Sequence, residues 1–177
     1  MKKPLLILTV LCSSLISINL YSQYCTGGPS STFDSNTESV DLTGDGGTAI
    51  TYTACPGVAG VEDQTALSAD VTAGTSYTAN IQFGTCGGNY GGAGEAWIDW
   101  DQNQAFDASE SIGTWSGTPP TTLSAFTFTV PATAVNGATG MRVIQQEGGG
   151  NPLDPCASFS WGSAVDFTIN VSGGASP

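Results

Sequence analysis

The chain has 177 residues, with 15 acidic side chains against three basic ones, no histidine and a formal charge of −12. This balance makes nucleic acid and anionic lipid poor partners, since phosphate would be repelled, and the lack of histidine removes the commonest general base and metal ligand. The length supports one domain with a substantial core.

Residues 1–22 read as a signal peptide. Lys2 and Lys3 form a basic start, and the apolar run from Leu5 to Leu20 is interrupted by Ser13, Ser14, Ser17 and Asn19, which suits a cleaved leader and not a membrane span. Cleavage after Ser22 would remove Cys12 and leave Arg142 as the single basic residue against 15 acids, a formal charge of about −14. The expected destination is outside the cell, secreted or on its surface, with no membrane insertion.

Residues 23–172 then read as one domain of about nine short strands, each alternating with period two and bounded by Gly, Pro, Asn and Ser. In chain order the segments are "ESVDL", "TAITYTA", "TALSADV", "SYTANIQF", "EAWIDW", "SIGTW", "AFTFTV", "GMRVIQQ" and "VDFTINV". Tyr77, Ala79, Ile81 and Phe83 face one side of the fourth segment. Phe126, Phe128 and Val130 do so in the seventh, and Val165, Phe167, Ile169 and Val171 in the last. Arg142 is opposite in phase to Met141 and Val143, so it should face outward and meet a carboxylate. No window carries a helical stripe. The fold class is therefore all-β, an antiparallel β-sandwich of jelly-roll-like arrangement, with function placed in its loops. Residues 173–177, "GGASP", read as a flexible tail.

Cys25, Cys55, Cys86 and Cys156 remain in the exported chain. An even count in an oxidising compartment implies two disulfides, and four cysteines allow three pairings. The expected one is Cys25 with Cys55 and Cys86 with Cys156. Zinc is the weaker alternative, because there is no histidine and no Cys-x-x-Cys spacing.

The loop "DWDQNQAFDASE" carries the clearest chemistry. Counting Asp99 as position one, Asp101, Asn103 and Asp107 fall at three, five and nine, the Ala105 carbonyl is available at seven, and Glu110 falls at twelve. This is the ligand order of a calcium loop, since calcium takes six to eight oxygens from alternate residues of a curled segment. Phe106 sits where an apolar side chain pins such a loop to a core. Gln104 occupies the sharp turn, where a positive φ would cost about 1 kcal/mol. The competing reading is a solvated turn, in which Asp101 and Asn103 form Asx turns and the acids serve solubility.

Two further chemistries have residues of the right type. Tyr90, Trp97, Trp115 and Trp161 offer flat faces for pyranose rings, with Asn89, Gln145, Gln146 and Asn151 as hydrogen-bonding neighbours. Trp97 and Trp100, an odd number apart on one strand, must point to opposite faces, so at least one belongs to the core. The carboxylate pairs Glu95 with Asp99 and Glu147 with Asp154 have the residue types of a glycosidase. Such pairs more often sit on solvated loops, and no catalytic residue is expected.

The stretches "AWIDWDQNQAFDASESIGTW", "FTFTVPATAVNGATGMRVIQQ" and "PCASFSWGSAVDFTINV" together resemble the GEVED domain of secreted bacterial proteins, especially those of Bacteroidetes. The resemblance runs from Tyr24 to Val171. It implies an extracellular β-sandwich module that accompanies adhesive or proteolytic domains in larger surface proteins. The chain departs from the family in the segment that names it: Gly162, Ser163, Ala164, Val165, Asp166 and Phe167 keep the glycine and aspartate but neither glutamate. Gln104 also replaces the glycine usual in such loops. The reading is a non-enzymatic module for adhesion or surface recognition with a structural calcium ion, its partner an extracellular protein or glycan. The alternative is a carbohydrate-binding module, or an accessory of a carbohydrate-processing or proteolytic enzyme.

Overall fold

The computed structural model describes residues 24–31 and 33–177; the expected signal peptide, 1–22, lies outside the described residues. Among the described residues ten strands follow in order: β1 Gly28–Ser31, β2 Ser35–Thr43, β3 Ala49–Thr53, β4 Val61–Thr72, β5 Ser76–Thr85, β6 Gly92–Ile98, β7 Ser111–Gly117, β8 Ser124–Thr129, β9 Gly137–Glu147 and β10 Ser158–Ser172. Nine coincide with the segments expected from alternation. The tenth, β1, is four residues long and begins "GP", too short and too rich in strand breakers to show a period. Among the described residues no helix is long and apolar enough to cross a membrane.

The strands form two sheets. One has six strands, in the order β1, β10, β9, β6 and β7 with β4 also on β10; the other has four, in the order β3, β2, β5, β8. β1 and β4 lie end to end along one edge of β10, both parallel to it, with Ser31 opposite Trp161 and Val61 opposite Ala164. All other pairs are antiparallel. Val40, Ile81, Phe83, Ile98, Met141, Val143, Val165, Phe167 and Ile169 fill the space between the sheets. Each contributes roughly 1.5–3 kcal/mol by leaving water. The outer face of the six-stranded sheet carries a second apolar cluster, because side chains one residue out of phase point the other way. Ala93, Trp97, Ile144 and Ala164 lie there, covered by Phe106 and Leu153 from loops, with Tyr24 and Phe159 packed against them.

The disulfides are Cys25–Cys156 and Cys55–Cys86, which corrects the expected pairing of Cys25 with Cys55 and Cys86 with Cys156. The reason is topological. β1 runs beside the start of β10, so the residues preceding each strand meet, and the Gly28 amide bonds the Ala157 carbonyl at 2.8 Å. β2 lies between β3 and β5, with Ser39 opposite Thr53 and Ser35 opposite Thr85. The chain therefore leaves β3 and β5 at the same end, where Cys55 and Cys86 join. Of the expected tail, Gly174 and Ala175 bond Asn136 and Ala134, and Ala175 bridges Val135, so the chain is fastened as far as Ala175.

Candidate acidic cation site

The loop after β6 is built by its own acids. Asp99, fully buried, accepts the Asn103 amide on Oδ1 at 3.2 Å and the Gln104 amide on Oδ2 at 3.1 Å. Asp101 takes the Asn103 amide at 3.1 Å, and Asn103 in turn accepts the Ala105 amide at 2.8 Å, two successive Asx turns. These turns curl the chain through positive φ at Gln102 (56°) and Gln104 (74°). Phe106 then drops into the outer cluster, 6% exposed. A short 3-10 turn, Ala108–Glu110, brings Glu110 back beneath the loop, where its carboxylate accepts the Trp100 amide at 2.7 Å and the Asp107 amide at 2.9 Å.

One oxygen from each of Asp99, Asp101 and Glu110 lies within 4.8 Å of the other two. This group of three acids is placed so that it could hold a metal ion. Of the four acids among the six ligands expected from sequence, the structure brings these three together. Asn103 and Asp107 are exposed, and Asn103 Nδ2 donates to Asp101 Oδ2 at 3.1 Å and to Asp107 Oδ2 at 3.4 Å; Ala105 is exposed too. Burial pushes the carboxyls of Asp99 and Glu110 above their ordinary range, opposed in Asp99 chiefly by the Tyr24 hydrogen bond and in Glu110 by the Asp107 amide. Three acids in one pocket with two of them desolvated favour either a proton or a cation between them. Each carboxylate has four lone-pair sites and keeps some free of the donors just named, which suits a hard, oxygen-coordinated cation.

Tyr24 completes the site, and sequence reasoning missed it. Its hydroxyl donates to Asp99 Oδ2 at 2.8 Å and accepts the Gly140 amide at 2.8 Å, while its ring stacks on Phe106 with centroids 4.6 Å apart. The only hint in the sequence is its position beside a bridged cysteine, which fixes the chain there. Beneath lies Arg142, which faces the outer side of β9 as expected but is 1% exposed, covered by the loops. Its Nε and Nη2 each bond Asp166 at 2.7 Å, Nη1 bonds the carbonyls of Cys25 and Pro155, and its Cζ lies 5.1 Å from the Phe106 centroid.

The expected glycan contacts divide. Tyr90 and Trp161 are 48% and 49% exposed. Trp115 is half-buried and stacks on Phe83 at 5.0 Å. Trp97 is 1% exposed and cannot meet a sugar, because loops cover the sheet face it occupies; Trp100 points the other way into the main core. Gln145 is also withdrawn, bonding both the amide and carbonyl of Gly84. Glu95 is 3% exposed and anchors Ser111 and the Leu153 amide, at 2.7 and 2.8 Å.

Comparison with known families places these elements in context. Residues 94–170 match the family model of the GEVED domain. No curated protein matches the chain. Gly162 and Asp166, within the matched segment, have structural duties. Gly162 has φ 144° and a Cβ there would strike the Gln145 carbonyl, and Asp166 is the partner of Arg142.

Proposed function

From the GEVED-domain match over residues 94–170 we propose that the chain is an exported, non-enzymatic β-sandwich module for adhesion or surface recognition, with one structural calcium ion in the acidic loop. The observation that supports the calcium most is the convergence of Asp99, Asp101 and Glu110, two of them buried. A site made of carboxylates on a curled loop favours calcium over magnesium, which demands stricter octahedral geometry and keeps its waters. The ion would order a loop at the end of the sandwich, and a rigid loop loses less entropy when it meets a partner. A second reading, a carbohydrate-binding module, draws on the exposed faces of Tyr90 and Trp161.

Immobilised protein presented to arrays of glycans and of extracellular protein domains, in calcium and in chelator, separates the two. Calcium-dependent capture of a protein supports recognition of proteins. Selective glycan capture that disappears in Tyr90→Ala or Trp161→Ala supports the second reading. Release of reducing sugar from a polysaccharide would contradict both.

A further inference from the structure

Tyr24 reaches the acidic loop because the residue beside it is fastened twice. Cys25 is bridged to Cys156, and Arg142 Nη1 donates to the carbonyls of Cys25 and Pro155 at 2.9 and 2.8 Å. From that anchor Tyr24 bonds Asp99, and Asp99 bonds the amides of Asn103 and Gln104. A line of direct contacts thus runs from the disulfide to the turn of the loop. The other disulfide ties the ends of β3 and β5 in the four-stranded sheet and has no place in that line. Cys156 is exposed, whereas Cys25 is half-buried with its sulfur 3.4 Å from Arg142 Nη1. A thiolate can therefore attack Cys156 while Cys25 departs as a thiolate beside the guanidinium, the arrangement that eases thiol–disulfide exchange.

We propose that Cys25–Cys156 is a redox latch for the acidic loop, and that Tyr24 is the positioning residue through which it acts. Closed, the latch presses the phenol onto Asp99. A dithiol opens it in two exchanges: the first thiolate forms a mixed disulfide with Cys156 and releases Cys25, and the second displaces Cys156. The reductant leaves as its own disulfide, and its two electrons and two protons appear as the Cys25 and Cys156 thiols. With the bond open, Cys25 keeps its carbonyl bond to Arg142 but loses its covalent tether, and the entropy of the loosened segment ahead of β1 works against keeping Tyr24 in place. The loop from Asp99 to Asp107 then loses its clamp.

The inference is independent of any bound cation and is tested in calcium-free buffer. Amide hydrogen exchange is measured for wild type, Cys25→Ser with Cys156→Ser, Cys55→Ser with Cys86→Ser, and Tyr24→Phe. The first pair should speed exchange at Asn103 and Gln104 about tenfold or more while Ile81 and Phe167 keep their protection, as expected of a local opening. Tyr24→Phe should speed the same two amides, and the second cysteine pair should not speed them selectively. Unchanged exchange at Asn103 and Gln104 without the Cys25–Cys156 bond overturns the latch, as does an equal change in both cysteine variants. If that first variant does not fold, Tyr24→Phe decides with both disulfides intact, and unaltered loop exchange there overturns the proposal.

Discussion

A guanidinium taken out of water needs a partner for its N–H groups, and Arg142 finds them in Asp166, two main-chain carbonyls and the face of Phe106. Removing it would leave the Asp166 carboxylate without its counter-charge. Arg142→Ala should therefore cost about 3 to 5 kcal/mol, read from urea unfolding. Arg142→Lys keeps the charge but loses the planar fork, so it should recover only part of that loss. Tyr24 makes a prediction about pH. Its hydroxyl is pushed up to about 12, first by burial and then by its bond to Asp99, with the Thr139 hydrogen bond opposing. The folded state thus holds this proton more tightly than the unfolded chain, whose tyrosines titrate near about 10. The stability that follows is complete below the ordinary value of 10.0 and is lost as pH rises through about 12. Tyr24→Phe should therefore lose melting temperature less steeply than wild type across that window. Equal slopes would assign the effect to another group.

The acidic loop shows at the scale of an element what a linear pattern can and cannot tell. The alternation of oxygen-bearing residues was legible, and so was the strain at Gln104, because a sharp turn at that position requires a positive φ and the structure has 74° there. Which acids converge was not legible. Asn103 spends its side chain on the Ala105 amide, and Glu110 arrives only because a 3-10 turn folds it back under Trp100. The covering of the outer sheet face was equally hidden. Trp97 alternates like a surface residue, yet Phe106 and Leu153 descend on it from loops far apart in the chain. Gln104→Gly should relieve the left-handed strain and stabilise the protein by up to about 1 kcal/mol, partly offset by the greater freedom of glycine when unfolded. A loss of stability on urea denaturation would mean that the Gln104 side chain makes a contribution larger than its strain.

For the molecule as a whole, period-two alternation revealed nine strands and the inward face of β5, β8, β9 and β10, because burial between two sheets imposes that period. The disulfide pairing was not legible, since it depends on which strands become neighbours across the full length of the chain. The two bonds close separations of 131 and 31 residues, so in the chain-entropy model they contribute roughly 5 and 4 kcal/mol. Non-reducing peptide maps should join Cys25 to Cys156 and Cys55 to Cys86, and a free thiol at any of these four cysteines would contradict this. The central claim, a cation held by Asp99, Asp101 and Glu110, is best tested through Asp101. Asp99 and Glu110 accept buried donors, so replacing either would disturb the loop even without an ion. Asp101 is exposed, and asparagine there retains an oxygen for the Asn103 amide while giving up only the exposed bond from Asn103 Nδ2. Asp101→Asn should leave calcium-free stability within about 0.5 kcal/mol of wild type. Extracellular modules bind calcium at about 10⁻⁴ to 10⁻³ M, so about 10 mM calcium should stabilise wild type by roughly 1.4 to 2.7 kcal/mol. That corresponds to a rise of roughly 3 to 10 °C in melting temperature. The decisive measurement is the thermal melt of wild type and Asp101→Asn with and without calcium at pH 7. The account predicts a concentration-dependent rise in wild type and its loss in the variant; no rise in wild type, or an equal rise in both, would make the loop a solvated turn.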